Sequence, residues 1–572
     1  MYLSEKQKMS VLEDARAYLA AEKDPNFANE VAVAMDMGDW DNLYDRFYTQ
    51  LTFGTAGMRG VIGGGTNRIN PYMVRRVTQA LAEYLCENAK EPSVSIAYDS
   101  RLYSKEFAHS AACVLAANGV KVNLYSTLHP VPMLSFALRE THSTAGIVIT
   151  ASHNPSKYNG YKVYWSDGGQ VTPPHDIGIV EKVNKVKVED ICDIDEAEAR
   201  AKGLIVDMPS SVDEAYYKMV DSSLRRPSLV QNAPITVAYT PLHGTGNVPV
   251  RTMLKNYNIK TVVVTEQEMP DGNFPTVKLP NPESAEAMTK VIELAKKEKA
   301  DIVLGTDPDA DRLGIAIPKT PAKDDYLLLT GNQIATLLCD YLLFTNKSEK
   351  LNSKRPLVVK SLVTTDIIKR ICDHYGAECK DVLTGFKYIA EQIQAIEDDP
   401  KSDKFFLFGC EESYGFLTVK DVRDKDAVSS AIAAVEMMCY YASIGLTLQE
   451  RLDQIYDEFG YSTEVVFSHD YEGAEGKIEM QNIMAKLRAL KVGDKLVNRE
   501  IKSMMDLKGE QNAFPKADVL IYEFVSGEKL VVRPSGTEPK IKFYLFLTAG
   551  DMSKEEIIAN KDAIKNEFDQ AL

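Results

Sequence analysis

Residues 301–317, DIVLGTDPDADRLGIAI, set an acidic loop between two apolar runs. DIVLG (301–305) and LGIAI (313–317) are short and rich in branched apolar residues, the pattern of strands buried on both faces. Working outward, the helical pattern SAEAMTKVIELAKKEKA (284–300) precedes them, and TVVVTEQE (261–268) reads as a strand before it. A helix around VRTMLKNYN (250–258) and the strand of PITVAYTPLHGTG (234–246) complete the unit. Strands alternating with helices of about 10–15 residues predict a parallel α/β sheet. Ligands bind such sheets outside the carboxyl ends of the strands, where TDPDADR (306–312) lies.

The same order recurs on both sides. Upstream, SVSIAYDSR (93–101) is a strand, SKEFAHSAACVLAANG (104–119) a helix, VKVNLYS (120–126) a strand and PVPMLSFALRE (130–140) a helix. AGIVIT (145–150) is then a strand that stops abruptly at ASHNP (151–155). Downstream, RPLVVKSLV (355–363) precedes the helices TTDIIKRICDHYG (364–376) and FKYIAEQIQAIED (386–398), and FFLFG (405–409) ends at CEESYG (410–415). The last hundred or so residues differ: ADVLIYEF, EKLVVRPS and IKFYLFL are closely spaced strands before the helix SKEEIIANKDAIKNEFDQAL (553–572). The expected fold class is therefore α/β, three similar α/β domains with mixed sheets plus a C-terminal α+β domain. Its boundaries are expected at residues 1–205, 206–317, 318–459 and 460–572.

Length agrees, since 572 residues at ~150 per domain give about four. The chain carries 66 Lys and Arg against 82 Asp and Glu, a formal charge of −16. That balance excludes a protein whose task is non-specific binding to nucleic acid or an anionic membrane. It leaves open a small anionic ligand held by a few local cations. The eight cysteines form no C-x-x-C pair and mostly sit in apolar segments, as free buried thiols do. The N-terminus has an amphipathic helical pattern without the apolar core of a signal peptide. Residues 427–446, the stretch most like a membrane span, contain Glu436 and run on into TLQERLDQIYDEF, so a buried core helix is expected. The expectation is a soluble, cytoplasmic chain.

Five motifs carry chemistry. In TASHNP (150–155), Ser152 stands at a strand-to-loop turn, placed as a nucleophile or phosphoryl carrier with His153 as a proton-transferring neighbour. No G-x-S-x-G elbow frames it, which weighs against a serine hydrolase. In DPDADR (307–312), alternating carboxylates of an extended chain point to one side. Crowded together, Asp307, Asp309 and Asp311 call for a hard divalent cation, most naturally Mg²⁺. An EF-hand is excluded, because its sixth position is Arg312 and its twelfth Pro318. RPSGTEP (533–539) joins a guanidinium, two hydroxyls and a glycine turn into a phosphate cradle. GCEESYG (409–415) offers acceptors and donors to sugar hydroxyls. FGTAGMRG (53–60) fails as a dinucleotide fingerprint, but its glycines bring Arg59 and backbone N–H groups towards a phosphate. Together these motifs require metal-assisted phosphoryl transfer on a phosphorylated polyol.

These residues resemble the α-D-phosphohexomutase family over essentially the whole chain. TASHNP, TDPDADR, CEESYG and RPSGTEPK match its four hallmark loops in order, and FGTAGMRG, NGYKVYW (159–165) and DGNFPTVKLPNPE (271–283) add to the match. Length, NGYKVYW and RDKDA (423–427) are most similar to the branch holding bacterial phosphoglucomutases and animal phosphopentomutase-like enzymes. The resemblance implies four domains around a central cleft, with Ser152 carried as phosphoserine. It implies Mg²⁺ on Asp307, Asp309, Asp311 and a phosphoserine oxygen, and sugar recognition by Glu411 and Ser413. It further implies a phosphate loop of Arg533, Ser535, Gly536 and Thr537, catalytic or phosphate-contacting groups at Arg59, His153, Lys162 and Arg312, and roles for Lys425 and Thr384. Two departures stand out: Ala427 replaces a frequent glycine after Asp426, and Tyr414-Gly415 stand where the dual-specific branch carries Gly-His. The second shifts the acid–base role to Lys425 and Lys162, given neighbouring cations that lower a lysine's pKa.

The implied reaction interconverts α-D-glucose 1-phosphate and glucose 6-phosphate through glucose 1,6-bisphosphate. Mannose or pentose phosphates are the alternative substrates, and a vestigial sugar-phosphate-binding protein is the non-enzymatic one. The expected partner is a small phosphosugar, with no nucleic acid or membrane, and a monomer or weak dimer. Arg59, Lys162, Arg312, Lys425 and Arg533 are expected to face one another.

Overall fold

The computed structural model describes residues 3–54, 57–471, 473–509, 514–534, 540–549 and 552–572. The chain forms two compact units. One comprises Met1–Leu329, Ile389–Ser402 and Ser413–Tyr440; the other comprises Thr330–Tyr388, Asp403–Glu412 and Tyr441–Leu572.

In the first unit, Ser93–Tyr98, Lys121–Leu124, Ala145–Ile149 and Ile205–Asp207 lie parallel in one sheet. Tyr158–Trp165 and Gly57–Val61 extend it antiparallel beyond Ala145–Ile149. Every residue of Ala145–Ile149 is buried, because helices such as Ser104–Ala117 and Val131–Glu140 pack on the strands. Ser4 and Gln7 close a capping box on the N-terminal helix Glu5–Ala21, which satisfies two otherwise orphaned N–H groups. Val11, Ala15 and Tyr18 of that helix join the core of this sheet.

The second sheet runs Tyr326–Leu328, Leu313–Pro318, Ile302–Thr306, Thr236–Thr240, Lys260–Val263, with the last three parallel and the first two antiparallel. Thus the strands around DPDADR are antiparallel neighbours, with Leu313 opposite Thr306. The expected strand TVVVTEQE is shorter than anticipated. It ends at Val263, and Thr265–Glu268 turn into one helical turn. That turn buries Gln267, whose Oε1 accepts Thr240 Oγ1 at 2.7 Å and whose carbonyl accepts His243 N.

In the second unit, Arg355–Ser361 pairs in parallel with Glu378–Val382 on one side and Lys404–Glu411 on the other. The C-terminal sheet is antiparallel, in the order Ser462–Asp470, Lys540–Thr548, Lys529–Pro534, Leu520–Phe524, Arg499–Asp506, Lys495–Leu496. Lys554–Ala571 lays Ile557, Ile564 and Phe568 on its core. The fold is mixed α/β, three α/β domains followed by an antiparallel C-terminal one. The apolar run from Ala427 does not continue as one helix. Ala427–Ser443 stops, and Thr447 with Glu450 caps a new helix, Leu448–Phe459. Among the described residues no single helix is long and apolar enough to cross a membrane.

Candidate active site

Ser152 stands three residues beyond the buried strand Ala145–Ile149 and has φ 51°. Left-handed backbone costs a non-glycine residue about 1 kcal/mol or more, and such strain is stored at functional sites. Ala310 (φ 49°) turns the acidic loop in the same way, as Leu242 (φ 45°) and His243 (φ 60°) do the loop after Thr236–Thr240. The turn carries the Ser152 hydroxyl onto the acidic loop. Its Oγ donates to Asp307 Oδ2 at 2.8 Å and lies 3.2 Å from His153 Nδ1.

The acidic loop is held by its own backbone and by three other segments. Asp307 Oδ1 accepts the N–H groups of Asp311 and Arg312 at 3.1 and 2.9 Å. Thr245 donates both its N–H and its hydroxyl to the Pro308 carbonyl, Val131 N–H donates to Asp309 O, and Ala427 N–H donates to Ala310 O. All three carboxylates are buried, with one oxygen of each lying within 4.8 Å of the others. Asp309 Oδ1 and Asp311 Oδ1 have no hydrogen-bond partner. Two unpartnered buried carboxylate oxygens beside a third carboxylate mark a site that fits a hard divalent cation. Among the described residues it is the one such cluster.

The electrostatics follow from this crowding. Burial, then repulsion from Asp309 and Asp311, pushes the Asp307 carboxyl well above its usual range. Burial and Asp309 likewise raise Asp311. At Asp309, burial is outweighed by Lys162 and by bonds to Asp307 and Lys162, so its carboxyl is held well below the usual range. Lys162 Nζ lies 3.0 Å from Asp309 Oδ2 and 3.9 Å from Asp311 Oδ2, and Lys425 Nζ lies 3.1 Å from Asp311 Oδ2. This corrects one expectation. Burial alone lowers Lys162, but Asp309 and Asp311 outweigh both burial and Lys425, so its pKa is raised. Burial, followed by Arg312, holds the His153 imidazole well below its usual value, so the ring is neutral at pH 7 and keeps one nitrogen as acceptor.

Arg59 stands on the strand Gly57–Val61 and donates to Asn154 Oδ1 at 2.9 Å. Gly57 makes this possible: its φ is 152°, and a Cβ there would lie 2.1 Å from the Tyr161 carbonyl. Arg312 Nη1 lies 3.5 Å from Glu283. Ser152, His153, Lys162, Lys425, Arg59, Arg312 and the three aspartates thus all belong to the first unit, as does Ser413. Thr384, Glu411 and Arg533 belong to the second unit. There, Glu411 Oε1 accepts the N–H of Gly385, next to Thr384, at 2.7 Å. Arg533 is the penultimate residue of the strand Lys529–Pro534, opposite Lys542, and bonds to the Tyr544 hydroxyl. Ser535, Gly536 and Thr537 lie outside the described residues.

Three groups escaped the sequence reading. Arg101 is buried and donates to the carbonyls of Ser152, Asn154, Pro155 and Tyr158. Its neighbour Asp99, 3.4 Å away, accepts Thr150 Oγ1 at 2.6 Å, and Thr150 Oγ1 in turn accepts Ser152 N–H. The signal was present: YDSR ends the strand beside AGIVIT, and the strand-end rule applies to it equally. Arg101→Ala is expected to destabilise the first unit by about 3–5 kcal/mol, since it strands a buried carboxylate and four carbonyls. Denaturant melts of the variant beside the parent protein measure this. The third group, Asp424, accepts Tyr164 OH at 2.7 Å.

Three profiles of one family match the chain: phosphoglucomutase/phosphomannomutase alpha/beta/alpha domain I at residues 50–190, domain II at 214–320 and domain III at 330–459. A phosphoglucomutase of Staphylococcus aureus (strain MRSA252) is 36% identical over 516 residues, covering 88% of this chain and 91% of the relative. Among solved structures, parafusin, a phosphoglucomutase from Paramecium in its open form, superposes with TM-score 0.68 at 17% identity, covering 91% of this chain and 95% of that one. A phosphoglucomutase/phosphomannomutase family protein from Burkholderia thailandensis gives 0.67 at 19%, covering 91% and 98%. The two structural likenesses establish the fold, and the sequence matches extend over most of the chain. The chain belongs to the phosphoglucomutase/phosphomannomutase family and is a mutase, an enzyme of the isomerase class.

Proposed function

We propose that this mutase interconverts α-D-glucose 1-phosphate and glucose 6-phosphate, with Ser152 as the phosphoryl carrier and glucose 1,6-bisphosphate as intermediate and activator. The observation that carries the reading is the Ser152 hydroxyl, turned out of a buried strand and set 2.8 Å from Asp307 of the acidic cluster. The glucose preference is supported by relatives named phosphoglucomutase at 36% identity.

In the first half-reaction a free sugar hydroxyl attacks the phosphorus of phospho-Ser152. The new O–P bond forms as the P–Oγ bond breaks, giving the bisphosphate and free Ser152. The hydroxyl's proton leaves to the neutral imidazole of His153, and the Ser152 oxygen takes up a proton from the Lys425 ammonium, which is paired with Asp311 and Asp424 at 3.1 and 3.0 Å. The bisphosphate turns over, and its other phosphoryl group returns to Ser152 by the reverse steps. Lys162, held charged by its carboxylate neighbours, attracts the phosphoryl oxygens. Arg59 and Arg312 add to that attraction. Asp307, Asp309 and Asp311, with an oxygen of the Ser152 group, are the residues to hold Mg²⁺. Bound there, Mg²⁺ supplies charge neutralisation and alignment for phosphoryl transfer.

In the second unit, Thr384 and Glu411, and with them Ser413 of the first, are assigned to the sugar hydroxyls. Arg533 with Ser535, Gly536 and Thr537 is assigned to the non-reacting phosphate, whose binding energy positions the reacting end. This apportions the chemistry among domains at 1–205, 206–317, 318–459 and 460–572: nucleophile, metal, sugar and phosphate. Free thiols at all eight cysteines suit a reducing, cytoplasmic compartment. Arg533→Ala is expected to lower kcat/KM by about 10- to 100-fold, the cost of a hydrogen bond to a charged group, mainly through KM. Initial rates with glucose, mannose and ribose 1-phosphates, each with Mg²⁺ and its own bisphosphate, test the substrate. Faster turnover of mannose or ribose 1-phosphate would overturn the glucose assignment.

A further inference from the structure

Asp424 is 1% exposed, and every acceptor position it has is in use. Its Oδ2 accepts Tyr164 OH at 2.7 Å and Gln170 Nε2 at 3.0 Å. Its Oδ1 accepts the backbone N–H of Lys425 at 2.8 Å and the Lys425 Nζ at 3.0 Å. A carboxylate offers about four lone-pair sites, so Asp424 has none left for a cation or a sugar. Through space it also attracts Lys162, but its hydrogen bonds within the reacting centre go to Lys425.

What it holds is the side chain of Lys425, at both its root and its tip. Lysine has a flexible four-carbon stem with about 2 kcal/mol of rotamer entropy. Here the root is tied to Asp424 through the backbone, and the tip is shared between Asp424 and Asp311 Oδ2 at 3.1 Å. The stem passes beneath Gly415: a Cβ on that glycine would lie 2.3 Å from Lys425 Cδ and 2.8 Å from Cγ. A hydrogen at position 415 is the one substituent that leaves the stem its path.

We propose that Asp424, gripped by Tyr164 and Gln170, is the positioning residue that aims Lys425 at the reacting phosphoryl group, and that Gly415 is the seat its stem requires. The inference rests on the role given to Lys425 above, and the variants separate the two. Lys425→Met tests that role. Asp424→Asn, Tyr164→Phe and Gly415→Ala test the seat, each by kcat, KM and melting temperature on glucose 1-phosphate.

Asp424→Asn is expected to lower kcat by about 100-fold, the cost of misplacing a reacting group by about an ångström, with KM within threefold of the parent. Tyr164→Phe and Gly415→Ala, which remove no charge, are expected to lower kcat by about tenfold on the same grounds. In the Tyr164→Phe, Asp424→Asn double variant the losses do not multiply, because both act through one Lys425. If Lys425→Met is inactive while Tyr164→Phe and Gly415→Ala keep the parent kcat, the positioning role is overturned and the Lys425 role stands. A lowered melting temperature with unchanged kcat per folded molecule overturns it equally. An active Lys425→Met overturns both. Should Asp424→Asn fail to fold, the two uncharged variants decide the question alone.

Discussion

Ser152→Ala is expected to abolish mutase turnover, lowering kcat by about 10⁶-fold, the order of loss when a covalent nucleophile is removed. The loss is chemical rather than structural. Alanine pays the same left-handed backbone cost as serine, and the Arg101 clamp on the loop's carbonyls does not involve the Ser152 side chain. Asp307 keeps the two backbone N–H donors on its other oxygen. The variant should therefore melt within a few degrees of the parent. Intact-mass measurement adds a readout independent of turnover: the parent gains one phosphoryl group from glucose 1,6-bisphosphate and the variant gains none. A variant that keeps near-normal activity, or that is still phosphorylated once, sinks the assignment of Ser152.

The strand-end loops were legible because each interrupts an apolar strand with polar residues that a core strand would not contain. TASHNP and DPDADR announce themselves by composition, and the three-carboxylate alternation predicted the one buried acidic cluster among the described residues. What the chain does not display is adjacency. Tyr164 and Asp424 are 260 residues apart, and Arg101 and Ser152 are 51 apart. No local period tells which strand ends lie side by side. The charge state of Lys162 was hidden for the same reason. Its cationic neighbours could be named from motifs, but it pairs with Asp309 and Asp311, delivered by a different sheet. The break at Thr447 was readable from its Thr-x-x-Glu capping box, had the apolar run before it not drawn attention first.

Removing divalent cations is expected to stop turnover and to lower the melting temperature of the parent, whereas Asp307→Asn should lose that dependence. Three buried carboxylates with two unpartnered oxygens are a liability that the fold relieves by raising Asp307 and Asp311. A cation that binds only the folded state adds RT ln(1 + [L]/Kd), about 2.7 kcal/mol at a hundredfold excess over Kd. For a unit of this size that is a shift of roughly 3–4 °C. Asparagine at 307 keeps an oxygen for the N–H groups of Asp311 and Arg312 and removes one of the three mutually repelling charges. Without a divalent cation the variant should therefore be as stable as the parent, or more so. With Mg²⁺ the order reverses, because the parent gains and the variant does not. Turnover in the variant should fall by at least about 100-fold, since even loss of a residue that only supports a metal ligand costs 10- to 100-fold. The crossing is the discriminating result. A merely structural aspartate would lower stability in both conditions by the same amount, and that outcome, or a parent whose melting ignores Mg²⁺, would remove the metal from this site.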